Sequence, residues 1–172
     1  GVISRSAGMT TEMSSTLPAA GRRQTTALST GRDAIIGSAY AELMPLYEAD
    51  PETKAIVIYS EPGGQMEAQL ATWVTENKSR LPIVAFMAGR FMDEMPGMRF
   101  GHAGTIVEGK ADTTAEKIER MRAAGIAVAA MLAVRRKAPD GSYFADGDRA
   151  AGGFGVLATG FSLLLGLIIF LA

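Results

Sequence analysis

The chain of 172 residues contains a single histidine, His102, which stands in a segment rich in small residues. The segment reads Arg99-Phe100-Gly101-His102-Ala103-Gly104-Thr105. Imidazole can carry a proton, a metal ion or a phosphoryl group at neutral pH, and small neighbours leave its ring accessible to a bulky anion. Because a lone histidine in a surface loop usually has no task, His102 is a catalytic candidate only together with other residues.

Two other turns carry residues that suit the same chemistry. Ser4-Arg5-Ser6-Ala7-Gly8-Met9 falls where a predicted strand ends and a predicted helix begins, and the N–H groups at a helix N-terminus bind phosphate. Glu61, in Ser60-Glu61-Pro62-Gly63-Gly64, follows another predicted strand. A carboxylate there can accept a hydrogen bond from an imidazole and fix its tautomer. Taken singly, residues 4–9 are more simply a structural turn, and Glu61 is more simply a solvated loop acid.

The composition excludes several classes of function. With 17 basic and 18 acidic residues and a net charge of −1, the chain has no electrostatic basis for binding nucleic acid. The absence of cysteine excludes disulfides and thiolate metal sites, and with one histidine we predict no metal site. No secretory signal is visible at Gly1-Val2-Ile3-Ser4, so we expect a cytoplasmic protein whose sequence starts inside a longer polypeptide.

Short apolar runs alternate with amphipathic stretches of helix length, a pattern typical of βαβ units. The predicted strands are Gly1–Ser4, Gln24–Ser29, Lys54–Tyr59, Leu81–Met87 and Ile126–Met131. The predicted helices are Met9–Ala20, Ser38–Ala49, Gln65–Lys78 and Thr113–Ala124. We predict an α/β fold with a flavodoxin-like, doubly wound parallel sheet and an added C-terminal hydrophobic helix. Such sheets bind ligands beyond the carboxyl ends of their strands, where all three turns fall.

Three local signals predict where individual helices begin or end. Thr113 and Glu116 have the spacing of a capping box at the start of the last helix. Gly125 is a typical C-terminal stop for that helix. Pro18 falls inside the first predicted helix and is expected to end or kink it.

The chain is predicted to divide into three parts. Residues 1–133 form the α/β domain, residues 134–152 form a polar, turn-rich linker, and residues 153–172 are apolar without any charge. Twenty apolar residues in a helix span about 30 Å, the thickness of a bilayer core, which predicts a membrane anchor. The alternatives are a hydrophobic helix that packs on a partner and a tail created by truncation or frameshift.

The three motifs together resemble one enzyme family. The segment around His102 is similar to the phosphohistidine loop of the succinyl-CoA synthetase α subunit, whose wider family includes malate–CoA ligases and ATP-citrate lyase. The turn at 4–9 resembles that family's Ser-Arg-Ser-Gly turn, and residues 60–64 resemble its Gly-Glu-Ile-Gly-Gly. Residues 50–57 resemble the strand that leads there. The resemblance covers residues 1–131, with the motifs in order and at compatible spacing.

The resemblance implies the second, ligase half of an acid–CoA ligase α subunit. This family makes acyl-CoA from a di- or tricarboxylic acid, coenzyme A and a nucleoside triphosphate through a phosphohistidine. His102 would carry the phosphoryl group, and Glu61 would orient the imidazole. The implied phosphate-binding residues are Ser6, Ala7, Gly8 and Met9, and the implied acid-binding residues are Thr11 and Asp33.

The same resemblance places the cofactors elsewhere. Coenzyme A belongs to a Rossmann half that precedes this domain in relatives, while ATP or GTP and Mg²⁺ belong to an ATP-grasp β subunit. No GxxxxGK[ST] motif occurs in this chain. Succinate is the first expectation for the acid, followed by malate and citrate. Residues 65–78 and 91–98 are the places to look for partner contacts, although the Met- and Phe-rich stretch 91–96 is more simply local packing.

Two residues depart from the family's pattern and leave a second function open. Ala7 and Arg32 each stand where relatives carry glycine. Ala7 is unfavourable if that position needs a positive φ or a close approach of phosphate. Arg32 either binds an anionic substrate or obstructs the pocket. The alternative function is therefore a catalytically silent, membrane-tethered interaction module with the same fold.

Overall fold

A five-stranded parallel sheet forms the centre of the fold. The structure is a computed structural model that describes residues 1–33, 35–99 and 103–130. His102, the linker predicted at 134–152 and the apolar helix predicted at 153–172 lie outside the described residues. The strands are β1 (Val2–Ser4), β2 (Ala27–Ser29), β3 (Ile56–Ser60), β4 (Ile83–Met87) and β5 (Ala127–Ala130).

The strand order is β2-β1-β3-β4-β5, and each neighbouring pair is parallel. This is the order of doubly wound sheets of the flavodoxin type. The predicted α/β class and the parallel sheet are confirmed. Because all strands run the same way, the segments that follow β1, β2, β3 and β4 emerge at one edge of the sheet.

Helices cover both faces of this sheet. They are α1 (Ala7–Ala19), α2 (Tyr40–Ala49), α3 (Met66–Asn77) and α4 (Thr114–Ala123). One buried cluster joins α1 to Val2, Val57 and Phe86, and a second joins the other three helices to Ile3, Ile56 and Ile58. Alternate strand residues thus enter opposite cores, which explains why these strands read as continuous apolar runs.

Helix α1 shows how local chemistry sets helix ends. It begins at Ala7, two residues before the predicted start, because Ser6 caps it by accepting a hydrogen bond from the Met9 N–H at 3.4 Å. Pro18 lies in the last turn, where it cannot donate to the Ser14 carbonyl. The Gln24 side chain donates to that carbonyl instead, at 3.1 Å. Pro18 is therefore tolerated one residue before the helix ends.

Both termini of the last helix, α4, agree with the sequence prediction. The Thr113 side chain accepts a hydrogen bond from the Glu116 N–H at 3.3 Å, so Thr113 is the N-cap of α4. Gly125 follows the helix with φ +83°, a conformation that favours glycine.

Strand β2 is shorter than predicted. It pairs with β1, and the ladder joins residues 27–29 to residues 2–4. The predicted residues 24–26 lie before the ladder and are exposed, so they lack the burial that stabilises a strand. Within the described part of the chain, none of the helices combines the length and apolar character needed to cross a bilayer.

Replacement of Ile58 by alanine tests the assignment of the core. Ile58 is fully buried in the centre of the sheet, so Ile58→Ala should lower the free energy of unfolding by about 2–5 kcal/mol. The matched control is Ile35→Ala, since Ile35 is 92% exposed and its loss should change stability by less than about 0.5 kcal/mol. Urea unfolding of both variants measures the difference, and equal losses would contradict this packing.

Candidate active site

A buried arginine joins three loops at the carboxyl edge of the sheet. Arg5 follows β1 and is 2% exposed. Its Nη1 donates to the carbonyl oxygens of Glu61 and Gly63, both at 2.8 Å, and its Nη2 donates to the carbonyl of Gly104 at 2.8 Å. The guanidinium presents its donors in a rigid fork, so it fixes the distance between these carbonyls.

Two more charged residues complete the cluster beneath these loops. Lys117 on α4 donates from Nζ to Glu67 Oε2 at 2.7 Å, to the Glu61 carbonyl at 3.1 Å and to the Gly63 carbonyl at 2.5 Å. Glu67 on α3 also lies 3.6 Å from Arg5 Nη1. Burial lowers the pKa of Lys117, and the charge of Arg5 lowers it further, whereas the Glu67 carboxylate raises it.

Glycines let the loop backbones touch one another. Gly63 has φ +78°, and a Cβ on it would lie 2.6 Å from the Gly104 carbonyl oxygen. A Cβ on Gly104 would in turn collide with the backbone of Arg32 and Asp33. The segments after β2 and β3 and the segment at 103–105 therefore pack directly, which any larger side chain at 63 or 104 would prevent.

Glu61 is buried, not solvated as its isolated motif suggested. It is 7% exposed, and its Oε1 accepts a hydrogen bond from Arg32 Nη1 at 2.8 Å. Its Oε2 is buried and has no hydrogen-bond partner among the described residues. The Tyr59 phenol lies beside this carboxylate: burial raises the pKa of Tyr59, and the charge of Glu61 and a side-chain hydrogen bond with Glu61 raise it further. Arg32 thus leaves Oε2 as the remaining acceptor of Glu61 inside the site, close to Tyr59.

The N-terminus of α1 lies in the same set of loops. Ser6 donates its N–H to Ser4 Oγ at 3.0 Å, which shapes the turn before the helix. Ala7 and Gly8 are exposed, and no acidic residue occupies the first turn. Ala7 is helical and does not have a positive φ, so alanine is unstrained there. Among the described residues, a Cβ on Gly8 would touch only Ser6 Oγ, at 4.0 Å, so they leave that position open as well.

The two predicted acid-binding residues are both exposed at this edge. Thr11 lies one turn into α1, where its hydroxyl donates to the Ala7 carbonyl at 3.3 Å. Asp33 lies in the segment after β2, next to the backbone of Gly104. His102 itself is outside the described residues, but Gly104, two positions later, is held by Arg5. Among residues 1–33, 35–99 and 103–130, no group of three potential ligand side chains could hold a metal ion.

Sequence reasoning missed Glu67 and Lys117. The signal was present, because both lie on the apolar stripes of their helices. Lys117 shares the buried stripe of α4 with Thr114, Ile118 and Met121, and Glu67 lies between buried residues of α3. A charged residue at a core position of an amphipathic helix indicates a buried partner.

Removal of Glu67 should destabilise the protein strongly. Glu67→Met leaves Arg5 and Lys117 as two buried cations without a carboxylate, and breaking a buried pair in this way costs about 3–5 kcal/mol. Glu116→Met, which breaks the exposed pair with Arg120, should change the unfolding midpoint far less, because solvent screens exposed ion pairs. Denaturant unfolding of both variants compares the two costs. Similar small losses would show that the buried cluster does not support the fold.

Comparison with known proteins agrees with this geometry. Residues 3–127 match the CoA-ligase family model. The chain is 43% identical over 129 residues to the ADP-forming sulfoacetate-CoA ligase subunit SauD of Bilophila wadsworthia, covering 75% of this chain and 43% of the relative. It is 40% identical to the malate–CoA ligase α subunit of Methylorubrum extorquens, with coverage of 75% and 43%.

The chain spans less than half the length of these relatives. Among solved structures, ATP citrate lyase of Methanosaeta concilii in complex with (3S)-citryl-CoA aligns with a TM-score of 0.66 at 23% identity. That alignment covers 98% of this chain and 25% of the lyase chain, and it supports the fold alone. With its sheet order, its loop motifs and the match over residues 3–127, the chain belongs to the CoA-ligase family.

Proposed function

We propose that this chain is the phosphohistidine-forming domain of an acid–CoA ligase α subunit. One observation carries the proposal: Arg5 donates both to the Glu61 loop and to Gly104, two residues from His102. The backbone of the loop that carries the family's carboxylate and the backbone two residues after the histidine are thereby bound to the same guanidinium. Membership of the CoA-ligase family supports the reaction class.

The proposed chemistry is a phosphoryl shuttle through His102. One imidazole nitrogen attacks the phosphorus of an acyl phosphate or a nucleoside triphosphate, a P–N bond forms, and the P–O bond to the carboxylate or diphosphate breaks. The other ring nitrogen keeps its proton, which needs an acceptor. The buried, unpartnered Glu61 Oε2 supports Glu61 in this role, because a charged acceptor fixes the tautomer and stabilises the ring while it carries charge.

The N-terminus of α1 is the proposed phosphate cradle. The exposed turn at Ala7 and Gly8 presents N–H groups at the positive end of a thirteen-residue helix. The Met9 N–H is already bound by Ser6 Oγ, so the cradle uses the amides before it. Thr11 and Asp33 border this region and are the proposed contacts of the acid.

The complete reaction requires partners. We infer an ATP-grasp β subunit that holds ATP or GTP and Mg²⁺, and a Rossmann domain that holds coenzyme A. Several relatives are named as subunits of ADP-forming ligases, which supports the partner. The proposed acid is a small di- or tricarboxylic acid, with succinate first and malate or citrate next. Two of the relatives are named for sulfoacetate and for malate, which like succinate are short dianions.

One observation favours a second candidate, a catalytically silent and membrane-tethered interaction module. Arg32 Nη1 donates a hydrogen bond to Glu61 Oε1 at 2.8 Å. Arg32 stands where the family's pattern has glycine. A carboxylate held by an arginine has less freedom to follow an imidazole through a reaction. This candidate also rests on the apolar residues 153–172, which lie outside the described residues.

Phosphorylation of the chain separates the two candidates. The chain is incubated with a ligase β subunit, Mg²⁺ and ATP labelled in the γ-phosphate, and acid-labile protein label is counted. We expect up to one label per chain, none in His102→Ala, and a rate at least about tenfold lower in Glu61→Gln, as for loss of an orienting partner. An unlabelled wild-type chain that binds the β subunit would support the silent module instead.

Fractionation tests the proposed tether. Without detergent, the full chain should sediment with membranes, while a chain that ends at residue 152 should remain in the supernatant, because residues 153–172 carry no charge and have the length of a bilayer core. A full chain that stays in the supernatant would exclude the anchor. It would leave the phosphoryl-transfer proposal untouched.

A further inference from the structure

We propose that Glu67 and Lys117 are positioning residues that hold the loop of residues 61–63 for the reaction. The inference rests on the proposed function, since the reaction concerned is phosphoryl transfer supported by Glu61. Neither residue touches the site directly. Lys117 acts through the backbone carbonyls of the loop, and Glu67 acts through Lys117 and Arg5, so neither role is that of the Glu61 side chain.

The ammonium group of Lys117 is fully used. Its three N–H donors match three acceptors: Glu67 Oε2 and the carbonyl oxygens of Glu61 and Gly63. Arg5 Nη1 donates to the same two carbonyls, so each of them accepts two charged donors. A peptide carbonyl that accepts two such bonds has both lone pairs satisfied, so the peptide planes at both ends of the loop have fixed orientations.

The loop is also tied to the segment before α4. The Gly63 N–H donates to the Asp112 carbonyl at 3.0 Å, and Gln65 Nε2 donates to Asp112 Oδ1 at 3.0 Å. Lys117 lies one turn into the helix that follows, so donors and acceptors from the same element hold the loop. The direction of the Glu61 side chain is set by a backbone that α4 fixes.

The electrostatics indicate that this arrangement is not the most stable one available. Arg5, Glu67 and Lys117 are each at most 2% exposed, and together they place two basic groups and one carboxylate away from water. Replacing both members of a buried ion pair with apolar side chains of similar volume is often neutral or stabilising, whereas removing one member is destabilising. A pair that served only the fold would therefore be replaceable as a pair.

The experiment is a double-mutant cycle on the full chain with its β subunit. Glu67→Met and Lys117→Met each break the pair, and the double variant removes one anion and one cation together. We expect both single variants to unfold at lower denaturant concentration, and the double variant to unfold at a higher midpoint than Glu67→Met but below wild type, because Arg5 stays buried without its carboxylate. The phosphorylation rate of the double variant should stay 10- to 100-fold below wild type, with an unchanged KM for ATP, which the proposed function assigns to the β subunit.

A second readout follows the loop without any reaction. Exchange of the Gly63 N–H with solvent deuterium should be at least tenfold faster in the double variant, while the Val57 N–H in β3, bonded to the Gly1 carbonyl at 2.9 Å, should keep its rate. The control is Glu116→Met with Arg120→Met, which removes an exposed pair of similar length and should leave both readouts at wild-type values.

The outcomes separate the two proposals. A double variant that regains both the midpoint and the rate shows a purely structural pair and overturns the inference, as does one that fails to fold. If the wild-type chain takes no label, the proposed function fails, and the deuterium exchange of the Gly63 N–H is then the only test of whether the pair holds the loop. Unchanged Gly63 exchange then overturns the positioning role, and faster exchange supports it.

Discussion

The candidate site depends on one buried guanidinium. A parallel sheet brings the ends of its strands to one edge, but it leaves the loops beyond them free to diverge. Arg5 removes that freedom, because its rigid fork donates to carbonyls of the loop after β3 and to Gly104 near the histidine. The ammonium group of Lys117 reaches the carbonyls of Glu61 and Gly63, but the bond to Gly104 comes from the second arm of the Arg5 fork. The arginine of the Ser-Arg-Ser turn therefore has a structural role, while the turn's serines shape and cap α1.

Burying that cation imposes conditions on the surrounding fold. A carboxylate must accompany it, and Glu67 supplies one from the first turn of α3. The carbonyls of the loop must turn inward, which is compatible with glycine at 63 and at 104, where loop backbones touch. Above this network lies Glu61, which is itself buried and accepts a hydrogen bond from Arg32 on Oε1. A network built from backbone acceptors thus fixes the loop that carries the candidate carboxylate.

Much of the fold was predictable, because its strands and helices obey local rules. Apolar runs such as residues 55–59 and 82–87 predicted buried parallel strands, and Thr113 predicted the start of α4. The clearest difference lies at the start of β2, because residues 24–26 are exposed and stand outside the ladder with β1. Pro18, expected to end or kink the first helix, lies one residue before its end, and the Gln24 side chain donates to the Ser14 carbonyl that Pro18 cannot bond. Of the candidate site, Glu61 and the Ser6 turn were found through their motifs, whereas Glu67 and Lys117 were not.

The sequence by itself determined the alternation of elements, the order of the loop motifs and the family to which they belong. Those features depend on periodicity and on residues close together in the chain. Only the tertiary structure decided that Glu61 is buried, that Arg32 holds one of its oxygens, and that Ala7 is unstrained in a helix. The pairs that fix the site join residues about 30 to 100 positions apart, from Arg32–Glu61 to Arg5–Gly104. No local pattern encodes such a contact, because it exists only when separate strands deliver their loops to one edge.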